Sequence, residues 1–151
     1  MRLSNTFVDD WSSRALSVLR IVAAFLFMAH GMQKLLGFPA ASTPSFQLFS
    51  LVGLAGVLEL VGGLLLLLGL LTRPVAFILS GEMAFAYFLA HAPRGFWPLI
   101  NRGELAALYS FVFLYLAVTG GGAWSIDEWW QNRRGAGGAA TPTRPLGARG
   151  V

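Results

Sequence analysis

Five ionisable side chains, His30, Lys34, Glu59, Glu82 and His91, stand inside or at the lips of otherwise apolar sequence. Carboxylates and imidazoles exchange protons with a bound substrate, and an ammonium donates hydrogen bonds to acceptor oxygens. Near the centre of a bilayer a charged side chain costs at least ~2.5–3.5 kcal/mol on insertion scales. Spanning a membrane does not require one, so these residues point to what the chain does. Spacing groups some of them. His30 and Lys34 are four residues apart and share a helical face, with Gln33 beside them. Glu59 lies along a stripe of small residues, Gly53, Gly56 and Gly63, which lets helices approach closely, within one chain or between two copies. Glu82 follows Ser80 and Gly81, again small and polar.

Glu59 and Glu82 are candidate proton carriers. His30, Gln33, Lys34, His91, Asn101 and Glu104 are candidate ligand-binding residues. Each also has a structural reading. Lys34 could snorkel to headgroups, the carboxylates could form an ion pair or neutral hydrogen-bonded acids, and Glu104 could favour a helix N-terminus. His30 and His91 could in addition ligate a haem between two helices, with Lys34, Arg94 or Arg102 meeting its propionates. No other metal site is read. Cysteine is absent, which excludes disulfides, thiolate nucleophiles and thiolate-bound metals on this chain.

The elements that must position these residues follow from hydropathy. The chain has 151 residues, 56% of them hydrophobic and 12% charged, with a mean hydropathy of +0.64. Soluble domains carry roughly 25% charged residues. Four apolar stretches stand out, at about 15–36, 46–71, 74–91 and 104–119. A bilayer core needs ~20 residues of helix, and in lipid the backbone must satisfy its own hydrogen bonds. The expected fold is therefore all-α, an integral membrane four-helix bundle over 15–119. Residues 1–14 form an N-terminal segment, 120–134 a Trp-rich interfacial segment, and 135–151 a disordered tail of Gly, Ala, Thr, Pro and Arg. Ser42-Thr43-Pro44-Ser45 can cap the second helix, and Thr72-Arg73-Pro74 is a tight turn that makes the second and third helices antiparallel neighbours. The N-terminal apolar run is expected to belong to the working protein rather than to a cleaved leader.

Basic residues set the orientation. With four crossings, the N-terminus, the Thr72–Pro74 turn and the C-terminus share one side. That side holds Arg2, Arg14, Arg20, Arg73, Arg133, Arg134, Arg144 and Arg149; the other holds Lys34, Arg94 and Arg102. The bias predicts both termini in the cytoplasm. The arginines serve topology, and no nucleic-acid partner is expected. Alternating helix direction then gathers His30, Lys34, Glu59, Glu82, His91, Asn101 and Glu104 in the outward-facing half. One weaker pattern, Phe27-Met28-Ala29-His30 against Phe88-Leu89-Ala90-His91, suggests a repeated helix pair.

The same residues carry a resemblance. Ala29-His30-Gly31-Met32-Gln33-Lys34-Leu35-Leu36-Gly37 resembles the first-helix signature of the DoxX family of small membrane proteins. The similarity continues through Glu59-Leu60-Val61-Gly62-Gly63, Gly69-Leu70-Leu71-Thr72-Arg73, Gly81-Glu82-Met83 and Ala90-His91-Ala92-Pro93. It ends with Gly95-Phe96-Trp97-Pro98, Asn101-Arg102-Gly103-Glu104 and Trp124-Ser125-Ile126-Asp127, and so covers about residues 14–128. The resemblance implies a four-helix bundle in the bacterial inner membrane. The family is named for its similarity to a subunit of a thiosulfate:quinone oxidoreductase, and members are linked to membrane redox complexes.

The expected function is a membrane subunit of a redox system, its outward polar pocket taking a quinone or a similar polar-headed lipid. The alternative is a non-catalytic anchor or assembly partner for a soluble redox enzyme. A bis-histidine haem protein and a small-solute transporter are further readings, the last disfavoured because the inner half is nearly all Leu, Val, Ile and Ala. Expected partners are membrane lipid, a soluble or membrane redox protein, and a second copy through Gly53, Gly56 and Gly63.

Overall fold

A computed structural model describes residues 5–40 and 49–138. Arg2, the Ser42–Ser45 segment, Arg144, Arg149 and the tail beyond residue 138 lie outside the described residues. Six α-helices account for most of the rest: α1 Asn5–Leu36, α2 Leu51–Leu68, α3 Thr72–Ala86, α4 Pro98–Asn101, α5 Glu104–Thr119 and α6 Ile126–Gly138. A π turn (Tyr87–His91) and a 3₁₀ turn (Ala92–Arg94) prolong α3. Three helical stretches, Phe7–Leu36, Leu51–Leu68 and Thr72–Arg94, are long and apolar enough to cross a membrane; α5 is apolar but shorter.

The ends of these helices have local causes. Ser50 caps α2, its hydroxyl accepting from the Gly53 amide at 3.0 Å. Gly69 closes α2 in the left-handed region, at φ 68°. The Gly69 and Leu70 amides return to the Leu66 and Leu65 carbonyls, so these two of the last carbonyls of α2 are satisfied within the turn. The α2–α3 connection is thus Gly69-Leu70-Leu71, three residues earlier than the turn expected at Thr72–Pro74. Pro74 falls within the first turn of α3, where a missing amide hydrogen matters least. Past α5, Ser125 starts α6: its hydroxyl accepts from the Glu128 amide at 3.2 Å, the first half of a capping box. The helix runs through the Trp-rich segment to Gly138.

Helix pairing is antiparallel and close. Cβ atoms placed on Gly31 and Gly63 of the α1–α2 seam would stand 2.5 Å from the Leu60 amide nitrogen and 3.0 Å from the Met28 Cβ. Gly56 is covered by Lys34 and Leu35 in the same way. At Gly56 and Gly63 the small-residue stripe is therefore filled by α1 of the same chain. Ser80 on α3 and Ser110 on α5 each donate to the other's carbonyl, at 2.8 and 3.1 Å. Phe27 of α1 reaches across to Tyr109 and Phe113 of α5, with ring centroids 5.3 and 4.8 Å apart. Ala24, Leu66, Ala76, Leu79 and Leu116 are packed into the same core. Large apolar side chains such as Phe25, Phe77, Phe85, Leu108 and Phe111 face outward. An apolar exterior of this extent suits a lipid surround.

Candidate functional site

The centre of the site is built by α1 and α2. At the Gly31 crossing no side chain separates the two backbones. One turn further along α1, Lys34 lies over Gly56, and its ammonium donates to Glu59 Oε1 at 2.5 Å. Glu59 is 2% exposed. The other Glu59 oxygen, Oε2, and both oxygens of Glu82 are buried without a hydrogen-bond partner among the described residues. Glu82, on α3, lies within electrostatic reach of both Glu59 and Lys34. His30 and the buried Tyr109 lie within electrostatic reach of Glu59. The structure thus gathers His30, Lys34, Glu59 and Glu82 from three helices. Gln33, half-buried, flanks them on α1.

The charge count of this cluster is informative. Two carboxyl groups face one lysine in an apolar surround, so full ionisation would leave an uncompensated negative charge. Such a charge is strongly disfavoured in a low-dielectric interior. The cluster is balanced when one proton is held on the carboxyl pair, or when a ligand donates hydrogen bonds to it.

The other candidate residues fall into a second group. His91 sits in the π turn, its Nδ1 3.1 Å from the Asn101 carbonyl oxygen and its ring stacked on Tyr87. Asn101 is 1% exposed. Its amide donates to the Gly95 carbonyl at 2.8 Å, and its Oδ1 accepts from the Gly103 amide at 2.8 Å. His91 and Asn101 therefore fasten the connection between α3 and α5. Glu104 is exposed at the start of α5, in a depression of about 490 Å³ shared with Arg102 and Leu105. The segments Phe27–His30 and Phe88–His91 have different surroundings: Phe27 is 1% exposed and Phe88 67%. Among the described residues no group of three or more His, Asp or Glu side chains could hold a metal ion.

One residue has a role that sequence reasoning missed. Arg20, counted above as a cytoplasmic topology charge, is 0% exposed. Its guanidinium donates to the carbonyls of Leu66, Leu67 at 2.7 Å, Gly121 at 2.8 Å and Trp124 at 2.9 Å. It ties the end of α2 to the chain that follows α5, and is removed from the orientation count. Asp127 acts beside it, accepting from the Leu71 and Thr72 amides at 2.9 and 2.7 Å. The Ser125–Glu128 spacing, Ser-x-x-Glu, was the one sequence signal that α6 begins there.

The family model described as DoxX matches residues 15–92. An uncharacterized protein of Haemophilus influenzae is 50% identical over 118 residues, covering 75% of this chain and 88% of that protein. The inner membrane protein YqjF of Escherichia coli is 35% identical over 120 residues, covering 74% and 88%. The putative oxidoreductase CatD of Bacillus subtilis is 26% identical over 117 residues, covering 73% and 82%. No solved structure matches the chain.

Proposed function

The chain belongs to the DoxX family, and from that premise we propose that it is an inner-membrane component of a redox system that takes a quinone headgroup at the Lys34–Glu59–Glu82 cluster. The observation that carries this reading is the set of three buried, unpartnered carboxylate oxygens beside a single lysine. A quinone presents two acceptor oxygens and a quinol two hydroxyl donors. Lys34, whose side chain is 29% exposed, would meet a quinone carbonyl, with His30 and Gln33 beside it. Glu59 Oε2 and the Glu82 carboxylate would take the quinol protons. Oxidation of the quinol releases two protons to these groups and two electrons to a redox centre on a partner. The relative named as a putative oxidoreductase is consistent with such a setting.

This reading includes four crossings with both termini in the cytoplasm. With Arg20 and Lys34 left out, the sequence still places Arg2, Arg14, Arg73, Arg133, Arg134, Arg144 and Arg149 on one side, and Arg94 and Arg102 on the other. The bias still favours that orientation. At 16 residues, α5 spans ~24 Å at 1.5 Å per residue, and the α4 turn and Gly120 extend it towards the two interfaces.

The test is the thermal stability of the purified protein with short-chain ubiquinone and menaquinone analogues. Protection is expected, and Glu59→Gln or Lys34→Ala abolishes it. No shift with either quinone class sinks the reading. A second reading, a non-catalytic anchor for a soluble redox enzyme, is favoured by α6, which carries exposed Trp129 and Trp130 beyond the last apolar helix. A stoichiometric soluble partner that co-purifies, with activity unchanged by Glu82→Gln, would select it.

A further inference from the structure

At the end of the molecule away from Lys34, a cavity of about 590 Å³ opens between the first half of α1, the start of α3, the end of α5 and α6. Small-ligand sites span ~300–1,000 Å³. Thr72 lines it, is 0% exposed, and its hydroxyl oxygen has no hydrogen-bond partner among the described residues. Four charged side chains line it too: Arg73, Arg134, Asp127 and Glu128. The Asp127 carboxylate is already engaged by two backbone amides. The side chains of Arg73, Arg134 and Glu128 make no ion pair or hydrogen bond among the described residues. The cavity therefore offers two free guanidiniums, one free carboxylate and an unused buried hydroxyl, and with the engaged Asp127 carboxylate its four charged side chains sum to a formal charge of zero.

Trp11, Trp124, Trp129 and Trp130 are all about half exposed at this end, as indoles are at a membrane interface. Leu71, which lines the cavity, is 55% exposed, so an apolar path leads from the polar site onto the lipid-facing surface.

We propose that this cavity binds an amine-bearing phosphate, the headgroup of a zwitterionic phospholipid. The phosphate meets Arg73, Arg134 and the Thr72 hydroxyl, and the ammonium meets Glu128. Guanidinium and phosphate pair in a bidentate fork, and the net-zero lining matches a net-zero headgroup better than an anionic one. The inference is independent of the quinone reading, since none of its residues touches the Lys34–Glu59–Glu82 cluster.

Native mass spectrometry of the purified full chain tests it, with equimolar phosphatidylethanolamine and phosphatidylglycerol of identical acyl chains. A parallel arm uses soluble O-phosphoethanolamine. Phosphatidylethanolamine adducts are expected to exceed phosphatidylglycerol adducts at least ~threefold. Arg73→Ala with Arg134→Ala lowers lipid adducts roughly fivefold or more, and Glu128→Gln removes the preference between the two lipids. These side chains are exposed, and unchanged helicity by circular dichroism shows that the variants fold. Equal occupancy by both lipids, or a wild-type pattern in the double arginine variant, overturns the proposal. Occupancy by O-phosphoethanolamine as high as by the lipid keeps the chemistry but overturns the lipid source.

Discussion

Arg20 and Asp127 hold the two halves of one turn: the guanidinium takes the Leu66 and Leu67 carbonyls at the end of α2, and the carboxylate takes the Leu71 and Thr72 amides at the start of α3. Neither residue belongs to the hairpin it secures. Arg20 comes from α1 and Asp127 from the first turn of α6. A connection of three residues between two apolar helices is thus clamped from both ends of the chain, and Arg20 extends the clamp to the Gly121 and Trp124 carbonyls.

Removing that clamp has a definite consequence. Arg20→Ala takes a charged donor from four carbonyls, two of them in the last turn of α2, and leaves Leu66 with only the Gly69 amide. Hydrogen bonds from a charged group contribute ~1.5–3 kcal/mol each, so a loss of about 3 kcal/mol or more in unfolding free energy is expected. Arg20→Lys recovers only part, since one ammonium cannot span carbonyls on two segments. Denaturant titration in detergent measures this. A change within about 1 kcal/mol would show that Arg20 is a topology charge and little else.

Gly31 and Gly81 make a matched pair of substitutions. A Cβ on Gly31 would lie 2.5 Å from the Leu60 backbone nitrogen, whereas one on Gly81 meets nothing within 4 Å. Gly31→Ala must push α1 from α2, with an expected loss of ~1–3 kcal/mol. It also carries Lys34 away from Glu59, so quinone protection weakens with it. Gly81→Ala is expected to be neutral or to stabilise by up to about 1 kcal/mol through helix propensity. Thermal melts of the two variants side by side decide the matter, and equal effects would mean that the crossing is not tight.

The Lys34–Glu59 pair is best examined by a double-mutant cycle. Lys34→Met alone leaves a buried carboxylate beside Glu82 with no cation, for which a loss of about 3–5 kcal/mol is expected. With Glu59→Gln added, much of that loss is recovered, because the uncompensated charge is gone. The expected coupling is ~2 kcal/mol or more. Additive single effects would mean that the two side chains do not act as a unit.

Much of the architecture was legible because bilayer-type hydropathy is a local property. The long runs of Leu, Val, Ala and Phe predict the helices, and alternating helix direction predicts a shared depth for His30, Lys34, Glu59 and Glu82, of which Lys34 and Glu59 meet. The Gly53–Gly63 stripe announced a close helix contact, although not which helix would fill it. His91 and Asn101 read as ligand-binding candidates in the sequence, and residue type alone does not show that they fasten the α3–α5 connection.

By itself the sequence determined an all-helical, membrane-embedded class and a short set of polar residues that an apolar surround must accommodate. Each of those follows from composition within a single helix. The tertiary structure decided which polar groups meet. Arg20 looks like any flanking arginine until carbonyls 46 to 104 residues further along the chain close around it. Gly31 resembles any glycine in a span until Leu60 stands against it. Whether a charge is buried, paired or left facing a second carboxylate depends on neighbours brought by packing, and hydropathy along one helix carries no information about them.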